Sequence, residues 1–182
     1  MKSNKKSNSV YKITFTALMA AIVCVATFCR FPLLESKVHL GNTACLLSGF
    51  LLGPVGGGLA AGIGSMLNDL VSGYGLDECL VTFVSKYVMA MVCALVAGKG
   101  TKRFAAAGAV LGALSYVALY MCKTFVYRRF VYGYPIEAVW ATMMSKLPAS
   151  LLNAAFAIIV APILYAALRP ALEKADLLRK MK

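Results

Sequence analysis

Residues 40–71 read LGNTACLLSGFLLGPVGGGLAAGIGSMLNDLV, and Asp69 is the one charged side chain among them. A helix crosses the hydrocarbon core of a bilayer with ~20 residues, so this run is too long for one crossing. Gly53-Pro54 divides it. The first part, to Leu52, has 13 residues and is short for a crossing unless part of the preceding connection lengthens it. The second, Val55 to Val71, is long enough and ends in Ser72-Gly73-Tyr74-Gly75, a turn composition. Gly49, Gly53 and Gly57 are spaced by four, as are Gly58 and Gly62. Small residues at that spacing let helix backbones approach closely in lipid, so these glycines are expected to pack within a bundle. No strand precedes the run and no GK[ST] follows it, which argues against a phosphate-binding loop.

The same pattern extends both ways. A first helix is expected from Val10 to Cys29, stopped by Arg30-Phe31-Pro32, with a polar connection from Leu33 to His39. Further helices are expected over Cys79–Ala97, stopped by Gly98-Lys99-Gly100, over Phe104–Val126, and over Ile136–Leu168, the last kinked by Pro148 and Pro162. Tyr127 to Tyr134 reads as a polar, aromatic connection. The fold class is therefore all-α: a single polytopic transmembrane domain over residues 1–182, with six helices and short basic tails. Composition demands the bilayer. Of 182 residues 60% are hydrophobic and 14% charged, against ~45–50% and ~25% in soluble domains. The start, MKSNKKSNSV, precedes an apolar run without a clear cleavage site and reads as part of a retained first helix.

The formal net charge of +12 could mark a nucleic-acid binder, but the basic residues sit at the ends of apolar segments, as the positive-inside rule produces. With the N-terminus inside, twelve basic residues fall on the inner side and five on the outer. Both termini are therefore expected in the cytoplasm, and no nucleic acid is expected as a partner. The six cysteines show no CxxC spacing, so neither a metal site nor a disulfide framework is expected. His39 is the single histidine, and no HExxH, GxSxG or paired carboxylate occurs. The chain is not expected to be an enzyme or to carry a cofactor.

Polar side chains inside a membrane are costly and are candidates for a site. Asn68 and Asp69 end the third helix on the outer side. Lys86 lies seven residues into the fourth, roughly 10 Å along it. Lys146 and Asn153 share a face of the last helix, with Ser150 between them. Tyr116, Tyr120, Tyr127 and Trp140 could supply aromatic walls, while Tyr127, Tyr132 and Tyr134 also suit an interfacial belt. The lysines have two readings, a ligand site or snorkelling to the interface. On the first helix, Ala17 and Ala21 share a face with Ala20 close by. That face suits internal packing or a flat surface sliding on a partner helix.

In order along residues 10 to 100, the chain carries Ala17-xxx-Ala21, His39-Leu-Gly41-Asn42, Leu51-Leu-Gly53-Pro54-xx-Gly57, Gly62-xx-Ser65-xx-Asn68-Asp69-Leu70, Ser72-Gly73-Tyr74 and Thr82-xxx-Lys86. This succession resembles the substrate-binding S components of energy-coupling factor (ECF) vitamin transporters, in particular the riboflavin-type group. The resemblance implies six helices, a substrate held near the outer face, and release inward by toppling in the membrane. As partners it implies a transmembrane scaffold subunit, met by the alanine face of the first helix, and two cytoplasmic ATPase subunits. Asn42 stands where relatives carry aspartate, and it joins the substrate-binding set on that resemblance. Riboflavin, pyridoxine-like compounds, the pyrimidine precursor of thiamine and pantothenate are all candidate substrates. The competing class is a self-contained secondary transporter or channel, which needs charged groups across the whole membrane.

Overall fold

A computed structural model describes residues 2–33, 36–98, 102–175 and 177, with side chains described for 9–32, 38–98, 103–175 and 177. Glu35, Lys99, Gly100, Arg179, Lys180 and Lys182 lie outside the described residues, as do the side chains of Lys2, Lys5, Lys6, Lys37 and Lys102. The elements are α1 (Lys2–Phe28), β1 (Arg30–Leu33), β2 (Ser36–His39), α2 (Gly41–Val71), α3 (Leu76–Ala97), α4 (Lys102–Val126) and α5 (Ile136–Lys174). Among the described residues five helices are long and apolar enough to cross a membrane. Their outer surface exposes Ile13, Leu18, Val25, Leu111, Ile159 and Ile163, a surface that belongs in lipid.

The second helix is two helices. Gly53 breaks it with φ 75 and ψ −172, a conformation essentially confined to glycine. Pro54 follows, where a missing N–H costs nothing at a helix start. Across this break the chain doubles back. Ser48 Oγ donates to the Gly57 carbonyl at 2.9 Å, and Cys45 Sγ lies 3.7 Å from Ser65 Oγ. In one straight helix residues 45 and 65 would be about 30 Å apart. A Cβ added to Gly57 would lie 2.6 Å from Gly49 Cα, and one on Gly49 would lie 2.5 Å from the Ala90 carbonyl oxygen. Gly49 and Gly57 therefore pack backbone on backbone, as their spacing suggested. Gly53 does not: nothing lies within 4 Å of its added Cβ, and its role is the turn.

The part before the break, Gly41 to Leu52, is buried along its whole length. A helix apolar all round belongs in an interior, and α1, α3, α4 and α5 surround it. Leu46 and Phe50 meet Val23, Met89, Cys93 and the buried Ala154, Ala157 and Ala161 of α5. Phe50 stacks on Tyr165 with ring centroids 5.1 Å apart. Successive helices alternate in direction, so Lys12, Gly53, Gly98, Ala105 and Glu173 gather at one end.

Three features correct the sequence reading. Residues 30–33 and 36–39 form an antiparallel hairpin, Arg30 opposite His39 and Leu33 opposite Ser36, so the all-α description has a small exception. Pro32 sits in an edge strand, where its missing donor is tolerated. Tyr127–Val131 is not a connection. It continues α4 as a π-helical turn, and the Tyr132 N–H reaches the Tyr127 carbonyl at 2.9 Å. Finally, α1 begins at Lys2 and α5 runs through Pro148, Pro162 and Pro170 to Lys174, beyond the expected bounds at 10 and 168.

Candidate functional site

At the end away from Lys12 and Glu173 the helices part around a cavity of about 340 Å³. Its floor is Lys86, which α3 carries into the bundle and leaves 3% exposed. A snorkelling lysine would be exposed. Instead Nζ donates to Asn42 Oδ1 and lies 3.5 Å from the centroid of the Tyr116 ring. A carbonyl oxygen and the negative face of an aromatic ring both favour an ammonium group. Asn42 is placed for this by the first turn of α2, directly after the hairpin. Tyr116 is held by α4 and stacks on Tyr120 with centroids 6.0 Å apart.

The walls come chiefly from α2 and α5. The broken α2 returns to supply Asn68 and Asp69, and α5 supplies Lys146, Ser150 and Asn153. Asn153 Oδ1 accepts the His39 N–H at 2.8 Å, and His39 Nδ1 accepts the Gly41 N–H at 3.1 Å. These two bonds fasten the hairpin to α5 and to the start of α2. Asn68 is 1% exposed, and its Nδ2 reaches the Cys24 carbonyl at a long 3.5 Å. Its Oδ1 has no partner, and neither does Ser150 Oγ. Buried polar atoms are normally satisfied, so two orphans lining one cavity are groups that a bound solute can satisfy.

The mouth is closed on one side by contacts between the start of α3 and the end of α4. Lys123 pairs with Glu78 at 3.1 Å, Tyr127 OH donates to an Asp77 carboxylate oxygen at 2.8 Å, and Tyr132 OH reaches Glu78 at 3.4 Å. The negative charge of Glu78 raises the Tyr132 phenol above its ordinary pKa, with desolvation adding to it. The rim also holds Arg30, whose guanidinium donates to Ser72 Oγ at 3.2 Å.

Of the residues singled out in the sequence, the structure brings Asn68, Asp69, Lys86, Tyr116, Lys146 and Asn153 onto this cavity. Asn42 stands behind Lys86 and does not line it. Trp140 does not line it either: half exposed, it faces outward beside Phe125, ring centroids 6.5 Å apart. Tyr127 and Tyr132, read also as an interfacial belt, line the cavity. The sequence reading missed Arg30, Glu78 and Lys123 as parts of it. An acidic residue opening α3 and a basic one closing α4 were visible, but only the antiparallel pairing of those helices joins them.

The alanine face divides. Ala17 is exposed and lines a second, larger and mainly apolar cavity of about 1660 Å³ at the other end, beside Gly53, Pro54 and Pro162. Ala21 is exposed and stands off that cavity. Ala20 is 6% exposed, packed so that its carbonyl meets Gly64. Ala20 nonetheless lines the same second cavity as Ala17.

The comparisons agree with this architecture. The family model described as "ECF-type riboflavin transporter, S component" matches residues 7–170. A solved structure, that of the S component of a bacterial ECF transporter, superposes with a TM-score of 0.71 at 19% identity, covering 88% of this chain and 96% of the other. At that identity the likeness is one of fold. No match is found among curated proteins. The matched family is a transporter component, not an enzyme family. With residues 7–170 under its model, this multi-pass membrane protein belongs to the ECF-type riboflavin transporter S component family.

Proposed function

We propose that the chain is the substrate-capturing subunit of an ECF-type importer in a bacterial cytoplasmic membrane. It forms one transmembrane domain with six crossings, counting the two halves of α2 separately, and both termini are cytoplasmic. The cavity on the outer side binds a scarce water-soluble vitamin or precursor of the riboflavin, pyridoxine, thiamine-pyrimidine or pantothenate kind. Asn68, Asp69, Lys86, Tyr116, Lys146 and Asn153 surround it, with Asn42 holding Lys86. A transmembrane scaffold subunit meets α1 at Ala17 and Ala21, and two cytoplasmic ATPase subunits supply the energy.

The observation that carries this reading is the cavity itself. A buried lysine, two unpartnered polar groups and a wall of tyrosines converge at one end of an otherwise apolar bundle. Such convergence of a few polar groups is the mark of a ligand pocket, and its volume lies near the low end of the ~300–1000 Å³ range for such sites. Between the two cavities the core holds Leu46, Phe50, Met89, Cys93 and alanines, with no charged residue among them. The cavity at the other end is lined mainly by apolar and small residues, which does not suit a self-contained transporter with a charged path through the membrane.

The test is extraction of small molecules from the purified protein and their identification by mass spectrometry, followed by calorimetric titration with the compound found. A vitamin or precursor bound one to one, with weaker binding by Lys86→Met, supports the reading. A protein that retains nothing and binds none of the four candidates contradicts it.

A further inference from the structure

The charge of the ligand can be read from the charges that await it. Among the cavity's lining residues five are basic, Arg30, Lys86, Lys123, Arg128 and Lys146, and two are acidic, Asp69 and Glu78. Five minus two leaves three positive charges around a small space. The Lys123–Glu78 pair, at 3.1 Å, cancels itself. Lys86 is different. Among the described residues no carboxylate oxygen lies within 4.0 Å of its Nζ. Its partners, Asn42 Oδ1 and the Tyr116 ring, are neutral. They orient and stabilise the ammonium without neutralising it, and Asp69, a carboxylate on the same cavity, makes no ion pair with it. A buried, unneutralised charge is expensive, and a ligand of opposite charge removes much of that expense. The positive-inside rule gathers basic residues at the cytoplasmic ends of helices, so it gives no account of basic groups gathered at the opposite end.

Two further features fix the rest of the ligand. Asn68 Oδ1 and Ser150 Oγ are buried and unpartnered, on two residues that line the same cavity, and a small side-chain rotation would bring either to a ligand. An amide oxygen accepts, so the ligand must offer an N–H or O–H beside its acid group. The volume of about 340 Å³ suits a compact small molecule, near the low end of the range for ligand pockets.

On the reading of this cavity as a capture site, we propose that its ligand is a compact organic oxyanion, a carboxylate or phosphate ester. Its acid group pairs with Lys86, and a hydroxyl or N–H of the same molecule donates to Asn68 Oδ1.

The test uses matched probes that differ in charge and all carry hydroxyl donors, titrated into the purified chain in nanodiscs: pantothenate against panthenol for a carboxylate, and pyridoxine 5′-phosphate against pyridoxine for a phosphate ester. Within a pair that binds, the anion should be favoured about ten- to hundredfold. Lys86→Met should abolish that preference while Lys86→Arg keeps it. A neutral member binding as well as its anion, or a preference that survives Lys86→Met, overturns the charge assignment and leaves the capture reading intact. If no probe binds, the small molecule extracted from the protein decides: an oxyanion upholds the proposal and a neutral compound overturns it. If nothing is extracted either, the capture reading fails, and this inference with it.

Discussion

Lys86 sets the problem at the scale of single residues. A lysine at the centre of a lipid-facing helix is unfavourable by ~3 kcal/mol on insertion scales, yet this one is 3% exposed and within the bundle. Its position was legible in the sequence as a charge inside an apolar run. Its neighbours were not, because Asn42 and Tyr116 come from other helices. Replacing Lys86 with Met should weaken ligand binding about ten- to hundredfold, the worth of a hydrogen bond to a charged group, without loss of insertion. Lys146→Met should also weaken binding. Unchanged affinity in both variants, measured by calorimetry, would remove the lysines from the site. Asn153 makes a separate prediction. Its Oδ1 holds the part-buried His39 N–H at 2.8 Å, so Asn153→Ala should destabilise the hairpin by about 1 kcal/mol, the net worth of a typical hydrogen bond. Hydrogen exchange at residues 36–39 would read this, and unaltered protection would contradict it.

At the scale of elements, Gly53 carries the most structure per atom. Its φ of 75 and ψ of −172 let α2 fold back on itself, and its added Cβ meets nothing. Gly53→Ala should therefore cost about 1–3 kcal/mol from backbone strain alone. Gly57→Ala should also destabilise, by clash with Gly49 and Ser48. Thermal unfolding in detergent distinguishes both from wild type, and an unchanged midpoint for Gly53→Ala would contradict the account of the break. The division of residues 40–71 at Gly53-Pro54 was legible because glycine and proline act locally. The hairpin at 30–39 and the π turn at 127–131 were not. The first depends on His39 being fastened to α5, and the second on Tyr127 and Tyr132 reaching the start of α3. On α1, Ala17 and Ala21 remain exposed. Ala21→Trp should block uptake with the partner subunits while leaving ligand binding by the isolated chain intact, and normal uptake would deny the face that role.

For the whole molecule, two cavities of different character lie at opposite ends of one bundle, a small polar one and a large apolar one. Capture on one side and coupling on the other require that the polar end face outward. In the proposed orientation, which follows the twelve-to-five distribution of basic residues, both termini lie inside, and reporter fusions at Lys182 and at Tyr132–Tyr134 should be active on opposite sides of the membrane. An external signal at Lys182 would put the polar cavity on the cytoplasmic side. The fold was legible in outline from hydropathy. The site was legible only as a set of scattered polar residues, since six lie on one cavity, Asn42 stands behind it and Trp140 faces away. The most direct check of the central claim is titration of wild type and Lys86→Met with the small molecule extracted from the protein. One-to-one binding by wild type, weakened about ten- to hundredfold in Lys86→Met, is the predicted result. Equal affinity in the two proteins, or no extractable ligand and no binding of any candidate vitamin, would contradict it.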